Sequence, residues 1–153
     1  MSTLQNGPAY RLENRAGLVA EINANGTIRR FSLGDVIVNL FPGQAIEAAV
    51  GNLYLRRLGE APSFTALLGP ESGSRFGFHD GSFLAEGEFE GLHYAVRLVL
   101  ADDRAAWCWQ VELENRGSTS IEYDLIHVQD LALAPYGAIR LNEYYVSQYL
   151  DHE

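Results

Sequence analysis

Acid–base chemistry needs two titratable groups held on either side of the bond that breaks, and a metal needs ligands at close, repeated spacing. The four histidines, His79, His93, His127 and His152, form neither an HxH nor an HExxH pattern, so no metal site is expected. Strand alternation is read as placing His93 and His127 on polar faces. Carboxyls at Asp80, Glu86, Glu88, Glu90, Asp130 and Glu143 could work in pairs at a glycosidic bond, or singly as an acid while phosphate attacks. Their spacing sets no two of them at a useful separation, and a solvated acidic surface is the favoured reading. His79 beside Asp80 is the nearest approach to the His–carboxylate pair of a sugar epimerase, but neighbours on a strand point to opposite faces. Cys108 is the single cysteine and has no base near it in sequence, which disfavours a catalytic thiol and rules out an intrachain disulfide. Arg75 lies in "LLGPESGSRFGF", which is not a GxxxxGK[ST] phosphate loop, and reads as a surface or turn arginine.

The densest run of groups suited to binding is "RLNEYYVSQYLDHE". Read as a strand, it sets Leu141, Glu143, Tyr145 and Ser147 on one face and Arg140, Asn142, Tyr144 and Val146 on the other. Neither face is purely apolar. Flat rings beside amides and acids suit a saccharide site or a domain interface alike. The candidate contact residues are Arg140, Asn142, Glu143, Tyr144, Tyr145 and Gln148. Trp107 and Trp109 could make a second platform for a sugar ring, but their alternation with Val111 and Leu113 favours core filling.

The elements that would position these groups are strands. "GLVAEINANGTIRRFSL" alternates on both sides of Asn25 and Gly26; a three-residue loop of Ala24, Asn25 and Gly26 pairs Ile22 with Ile28 on one face, with Gly26 left-handed in a bulge. "GLHYAVRLVL" sets Leu92, Tyr94, Val96, Leu98 and Leu100 on one face. In "AAWCWQVELENRGSTSIEYDLIHVQD", a loop at Asn115, Arg116 and Gly117 would set Val111 across from Ile121, Trp109 from Tyr123 and Trp107 from Leu125. A meander of at least three strands is therefore predicted from Leu92 to Gln129. Only "GQAIEAAVGNLYLRRL" hints at helix. The architecture expected is an all-β antiparallel sandwich, since a sheet with one apolar face needs a second layer.

With 153 residues, 47% of them hydrophobic, the chain suits one globular domain. Its 11 basic residues are all arginine and its net charge is −9. A field of that sign repels polyphosphates and anionic membranes, so nucleic acid and membrane partners are not expected. No secretory signal opens the sequence and no apolar run approaches a membrane span, which predicts a cytoplasmic protein.

Several segments resemble the amino-terminal β-sandwich domain of the family 94 glycoside phosphorylases, which include cellobiose phosphorylase and the phosphorylase-like parts of cyclic β-1,2-glucan synthases. They are "NANGTIRRFSLGDVIVNLFPG", "GNLYLRR", "LLGPESGSRFGF", "EFEGLHYAVRLVLA", "WCWQVELENRG" and above all "VQDLALAPYGAIRLNEYYVSQYLDH". The resemblance starts near Asn14, which divides the chain into an N-terminal arm (1–13) and a sandwich domain (14–153). It implies a galactose-mutarotase-like supersandwich, followed in the full enzyme by linker helices and an (α/α)6 barrel carrying the general acid. It implies no cofactor, but inorganic phosphate as co-substrate, attacking the anomeric carbon of a β-glucan or disaccharide with inversion. The partners implied are the barrel of the same chain and a second copy in a homodimer. On this reading the chain is an incomplete piece of a longer enzyme, its own residues hold no catalytic group, and Ala138 to Tyr149 lies near an interface. The competing expectations are a stand-alone carbohydrate-binding module and, less favoured, an epimerase of the mutarotase type.

Overall fold

The computed structural model describes residues 8–44 and 46–141. In chain order the elements are β1 (Tyr10–Glu13), β2 (Leu18–Ile22), β3 (Ile28–Leu33), β4 (Val36–Ile37), β5 (Asn52–Arg57) and β6 (Ser63–Ala66). They continue with β7 (Arg75–His79), β8 (Ser82–Phe89), β9 (Leu92–Leu100), β10 (Trp107–Asn115), β11 (Tyr123–Val128), β12 (Ala134–Pro135) and the short helix α1 (Tyr136–Leu141). Three antiparallel sheets result, with strand orders β1-β2-β3-β4-β12, β10-β9-β8-β7 and β11-β5-β6. All three contribute to one core, in which Phe31 from the first sheet, Leu53 and Leu55 from the third, and Phe83, Tyr94, Val96 and Leu98 from the second are buried. The expected all-β antiparallel class is what forms, in an arrangement consistent with a sandwich. Tyr10–Glu13, within the stretch read as an arm, pairs with β2 along the first sheet's edge.

The first hairpin has the expected register: Ile22 pairs with Ile28, and Gly26 is left-handed at φ 78°. Its loop closes through Asn23, whose backbone N–H donates to the Thr27 carbonyl at 2.9 Å. Beyond the turn the register slips by one residue at Glu21 and Ile22. That bulge puts Phe31, rather than Arg30, opposite Ala20, and Phe31 ends fully buried while Arg30 reaches out to Glu21 at 3.0 Å. A single extra residue thus switches the phase of the strand and rescues its apolar pattern.

The β7–β10 meander follows from two tight turns. Asp80 and Gly81 connect β7 to β8, Glu90 and Gly91 connect β8 to β9, and all four have φ between 48° and 85°. Both central positions left-handed is the geometry whose twist matches antiparallel strands. The apolar row of β9 is buried from Leu92 to Leu98, as its alternation predicts.

Two expectations fail. The strand following β10 does not pair with it: β11 crosses to the third sheet and pairs with β5, setting Leu125 against Leu55 and Asp124 against Arg56. Asn115 still organises a turn, accepting from Gly117 N–H at 2.8 Å and donating to the Thr119 carbonyl at 2.9 Å, but the chain leaves the sheet there. Alternation had assigned Trp107, Trp109, Val111, Tyr123 and Leu125 to the correct inward face, and facing layers satisfy it as well as neighbouring strands do. The helix expectation also moves. "GNLYLRR" contributes strand β5, whereas Arg140 and Leu141, read as the start of a strand, close the helix Tyr136–Leu141, with Ile139 its buried residue. Beginning just after Pro135 and carrying Arg140 in its last turn, α1 follows ordinary helix-boundary chemistry.

Candidate functional site

β10 and β11 are the outermost strands of two different sheets, and the inward rows of both line one open slot. Its lining is Leu53, Trp107, Trp109, Val111, Leu125 and His127, with Cys108 at the rim, and its volume is ≈ 430 Å³. Each residue arrives by strand parity. Trp109 pairs with Leu98 and Val111 with Val96, both partners fully buried, so these side chains must point inward. On β11, Leu125 faces inward because its partner is the buried Leu55. His127 has the same parity and joins the slot lining, which corrects its expected place on a polar face. His93 does lie on the outer, polar row of β9.

The slot offers apolar contact rather than reaction chemistry. Trp107 and Trp109 pack against the core, as alternation predicted. One face of Trp107 is already taken by Phe31, stacked at 4.8 Å and 20°. A ring used that way has lost half of the platform a sugar would need. The Nε1 of Trp109 is buried and without a hydrogen-bond partner among the described residues. Cys108, on the opposite parity, is exposed.

Among the described residues, the candidate carboxyls do not converge around the slot. Glu86 and Glu88 are exposed on the outer row of β8, and Asp130 accepts a hydrogen bond from the Phe41 N–H at 2.6 Å. Glu90 sits in the β8–β9 turn and accepts from Arg57 at 2.8 Å and from Ser63 at 2.7 Å. The hydrogen bonds from Arg57 and then Ser63 hold its carboxyl below the usual carboxylate range, against a smaller opposing effect of burial. Beside it, the Tyr123 hydroxyl donates to the carbonyls of Phe89 and Glu90, each at 3.3 Å, and burial pushes its phenol pKa up. These four side chains clamp the third sheet to the β8–β9 turn, an arrangement invisible in sequence because its members are far apart along the chain. His79 and Asp80 do approach to 3.4 Å, because Asp80 is in a left-handed turn rather than in the strand, but both are largely exposed at a hairpin tip. Among the described residues, no cluster of three or more His, Cys, Asp or Glu could hold a metal. Arg75 is exposed at the start of β7, with Glu86 as its cross-strand partner.

Of the six residues singled out near the chain's end, Arg140 alone is described. Its guanidinium lies over the Tyr136 ring, 5.7 Å from the centroid, beside a small recess formed with Ile37, Asn39, Leu40, Pro42 and Ile139. Asn142, Glu143, Tyr144, Tyr145 and Gln148 lie outside the described residues.

The family model for the SOGP N-terminal domain matches residues 21–153. The chain belongs to that family. The SOGP N-terminal domain formed here is also similar to a 1,2-beta-oligoglucan phosphorylase of Listeria innocua serovar 6a, with 27% identity over 139 residues. That alignment takes in 90% of this chain and 12% of the relative, so the chain spans about an eighth of the protein it resembles. No helix among the described residues is long and apolar enough to cross a membrane.

Proposed function

We infer that this SOGP N-terminal domain is a noncatalytic accessory domain of a carbohydrate phosphorylase, packing against the part of the enzyme that performs inverting phosphorolysis of β-glucosides. The observations that carry the reading are the match of residues 21–153 to the SOGP N-terminal domain and the similarity of 90% of the chain to 12% of a 1,2-beta-oligoglucan phosphorylase. The domain's contribution is then mechanical: large apolar surfaces at the slot and on the outer row of the third sheet, where Phe64 is 73% and Ile126 36% exposed, give the rest of the enzyme something to bury. Phosphate is a co-substrate of the parent enzyme and meets no residue of this chain in the reading.

The test is a phosphorolysis assay of the purified chain with 1,2-β-oligoglucans and inorganic phosphate, beside whatever longer protein its reading frame encodes. Glucose 1-phosphate is expected from the longer protein and none above blank from the 153-residue chain. Turnover by the chain alone overturns the reading. Calorimetric titration of the chain with the same oligoglucans addresses the carbohydrate-binding alternative: saturable binding at micromolar ligand would replace the packing role with a recognition role.

A further inference from the structure

Sheet edges with nothing to pair are normally blunted by charge, proline, bulges or short length. β10 and β11 are treated differently. β10 runs for 9 residues with an inward row of Trp107, Trp109, Val111 and Leu113 and an outward row of Cys108, Gln110, Glu112 and Glu114. β11 carries apolar side chains on both rows, with Leu125 44% exposed beside His127 on one and Ile126 and Val128 each 36% exposed on the other; Asp124, on that second row, is tied to Arg56. A strand apolar on both parities is the pattern of one meant to be covered on both faces. Among the described residues neither strand has a partner on its outer side, and each directs alternate backbone N–H and C=O groups toward that edge.

We propose that the slot between β10 and β11 is closed by further β-strand supplied in cis by a longer parent polypeptide, pairing with these free edges. The proposal rests on the reading of the chain as one part of a larger phosphorylase. Alternate apolar side chains of the incoming strand meet Trp109, Val111 and Leu125, and its outward row carries basic or polar residues opposite Glu112 and Glu114. A relative of which this chain spans 12% has polypeptide to spare for such strands. A second copy fits less well: each chain carries a net charge of −9, and antiparallel pairing of β10 with itself would gather Glu112 and Glu114 of both copies on one face. A sugar fits less well again, with one face of Trp107 covered by Phe31.

Amide hydrogen exchange distinguishes these occupants without any substitution. It is measured on the 153-residue chain and on whatever longer protein its reading frame encodes, at matched low concentration. Edge amides of residues 107–115 and 123–128 are expected to exchange roughly 100-fold more slowly in the longer protein, with the amides of β9 unchanged. Equal exchange at both edges in the two proteins overturns the proposal, as does a reading frame that stops at Glu153. Protection that appears in the short chain alone as its concentration rises, together with dimerisation in sedimentation, assigns the slot to a second copy instead. Failure of the phosphorylase reading is separable: edge protection without phosphorolysis by the longer protein retains the strand and discards the enzyme.

Discussion

On β8 and β9 the inward side chains Phe83, Ala85, Tyr94, Val96 and Leu98 are fully buried, while on β10 and β11 the same alternation leaves Leu113 and Leu125 each 44% exposed. Residue type does not separate the two regions, since both present aromatic and branched aliphatic rows to the interior. Neighbours do. β8 and β9 are flanked on both sides by strands, whereas among the described residues β10 and β11 each have a strand on one side alone. Side-chain parity therefore determines which way a residue points, and the topology determines how much is there to cover it. The covered region should carry the stability of the isolated domain, and the open one should contribute little until something fills it.

The largest effect expected is at the covered centre. Tyr94 is fully buried, and its hydroxyl meets Ser74 Oγ at 2.9 Å; Tyr94→Ala should cost about 3–5 kcal/mol in urea unfolding, by the range found for large aromatic truncations. Leu125→Ala, at the slot, should cost only about 1 kcal/mol, since roughly half of its burial free energy is realised. Equal losses at the two positions would break the distinction between the regions and show that the slot is already closed in the isolated chain.

Next in size is a substitution that adds rather than removes atoms. A Cβ at Gly87 would lie 2.3 Å from the Tyr94 hydroxyl oxygen, whereas one at Gly77, on the neighbouring strand, meets nothing within 4 Å. Gly87→Ala should therefore destabilise by about 1–3 kcal/mol through overpacking. Gly77→Ala should be neutral or stabilising by about 0.5 kcal/mol, through loss of unfolded-chain freedom. Similar thermal midpoints for the two variants would mean that the covered region is less tightly packed than the geometry indicates. Phe64→Ser on the exposed outer row of the third sheet should fall within about 0.5 kcal/mol of the parent and raise solubility. A larger loss would indicate that the isolated chain buries this row by association.

How much of this was legible in the sequence divides along the same line. The Ile22–Ile28 register, the buried row of β9 and the inward parity of Trp107, Trp109 and Val111 were all readable, because period-2 alternation is a local property. The placement of β11 was not. Pairing it with β10 or with β5 satisfies the same alternation, and what decides is the long-range match of Asp124 to Arg56 and Leu125 to Leu55. One signal did point the right way: Leu125, Ile126 and Val128 occupy both parities, which a hairpin strand with one solvated face should not. The conversion of Arg140 and Leu141 from expected strand to helix is the weakness of short mixed segments, where one buried residue, Ile139, outweighs an ambiguous pattern. For the candidate site, sequence supplied the tryptophans but not the slot, which exists because two strands end two different sheets.

The smallest effect expected is at the clamp where the two regions meet, and its sign is fixed by protonation. Glu90 adopts φ 49° in its turn, a conformation a long side chain rarely takes, and there its carboxylate reaches both Arg57 and Ser63. Because hydrogen bonding lowers its folded-state pKa, its stabilisation is complete above the unfolded carboxylate range and fades as pH falls through the lowered folded value. Tyr123 acts at the other limb. Burial raises its pKa, so its contribution is present below the ordinary tyrosine range and is lost as pH climbs through about 10 and above. Urea midpoints across pH should show the parent ahead of Glu90→Gln at neutral pH, the gap narrowing on acidification, and Tyr123→Phe flattening the alkaline limb alone. An acid limb unchanged by Glu90→Gln would mean that the third sheet is held to the β8–β9 turn by apolar packing. The covered and open regions would then be joined by the core and by the Tyr123 hydroxyl on the Phe89 and Glu90 carbonyls, not by the carboxylate.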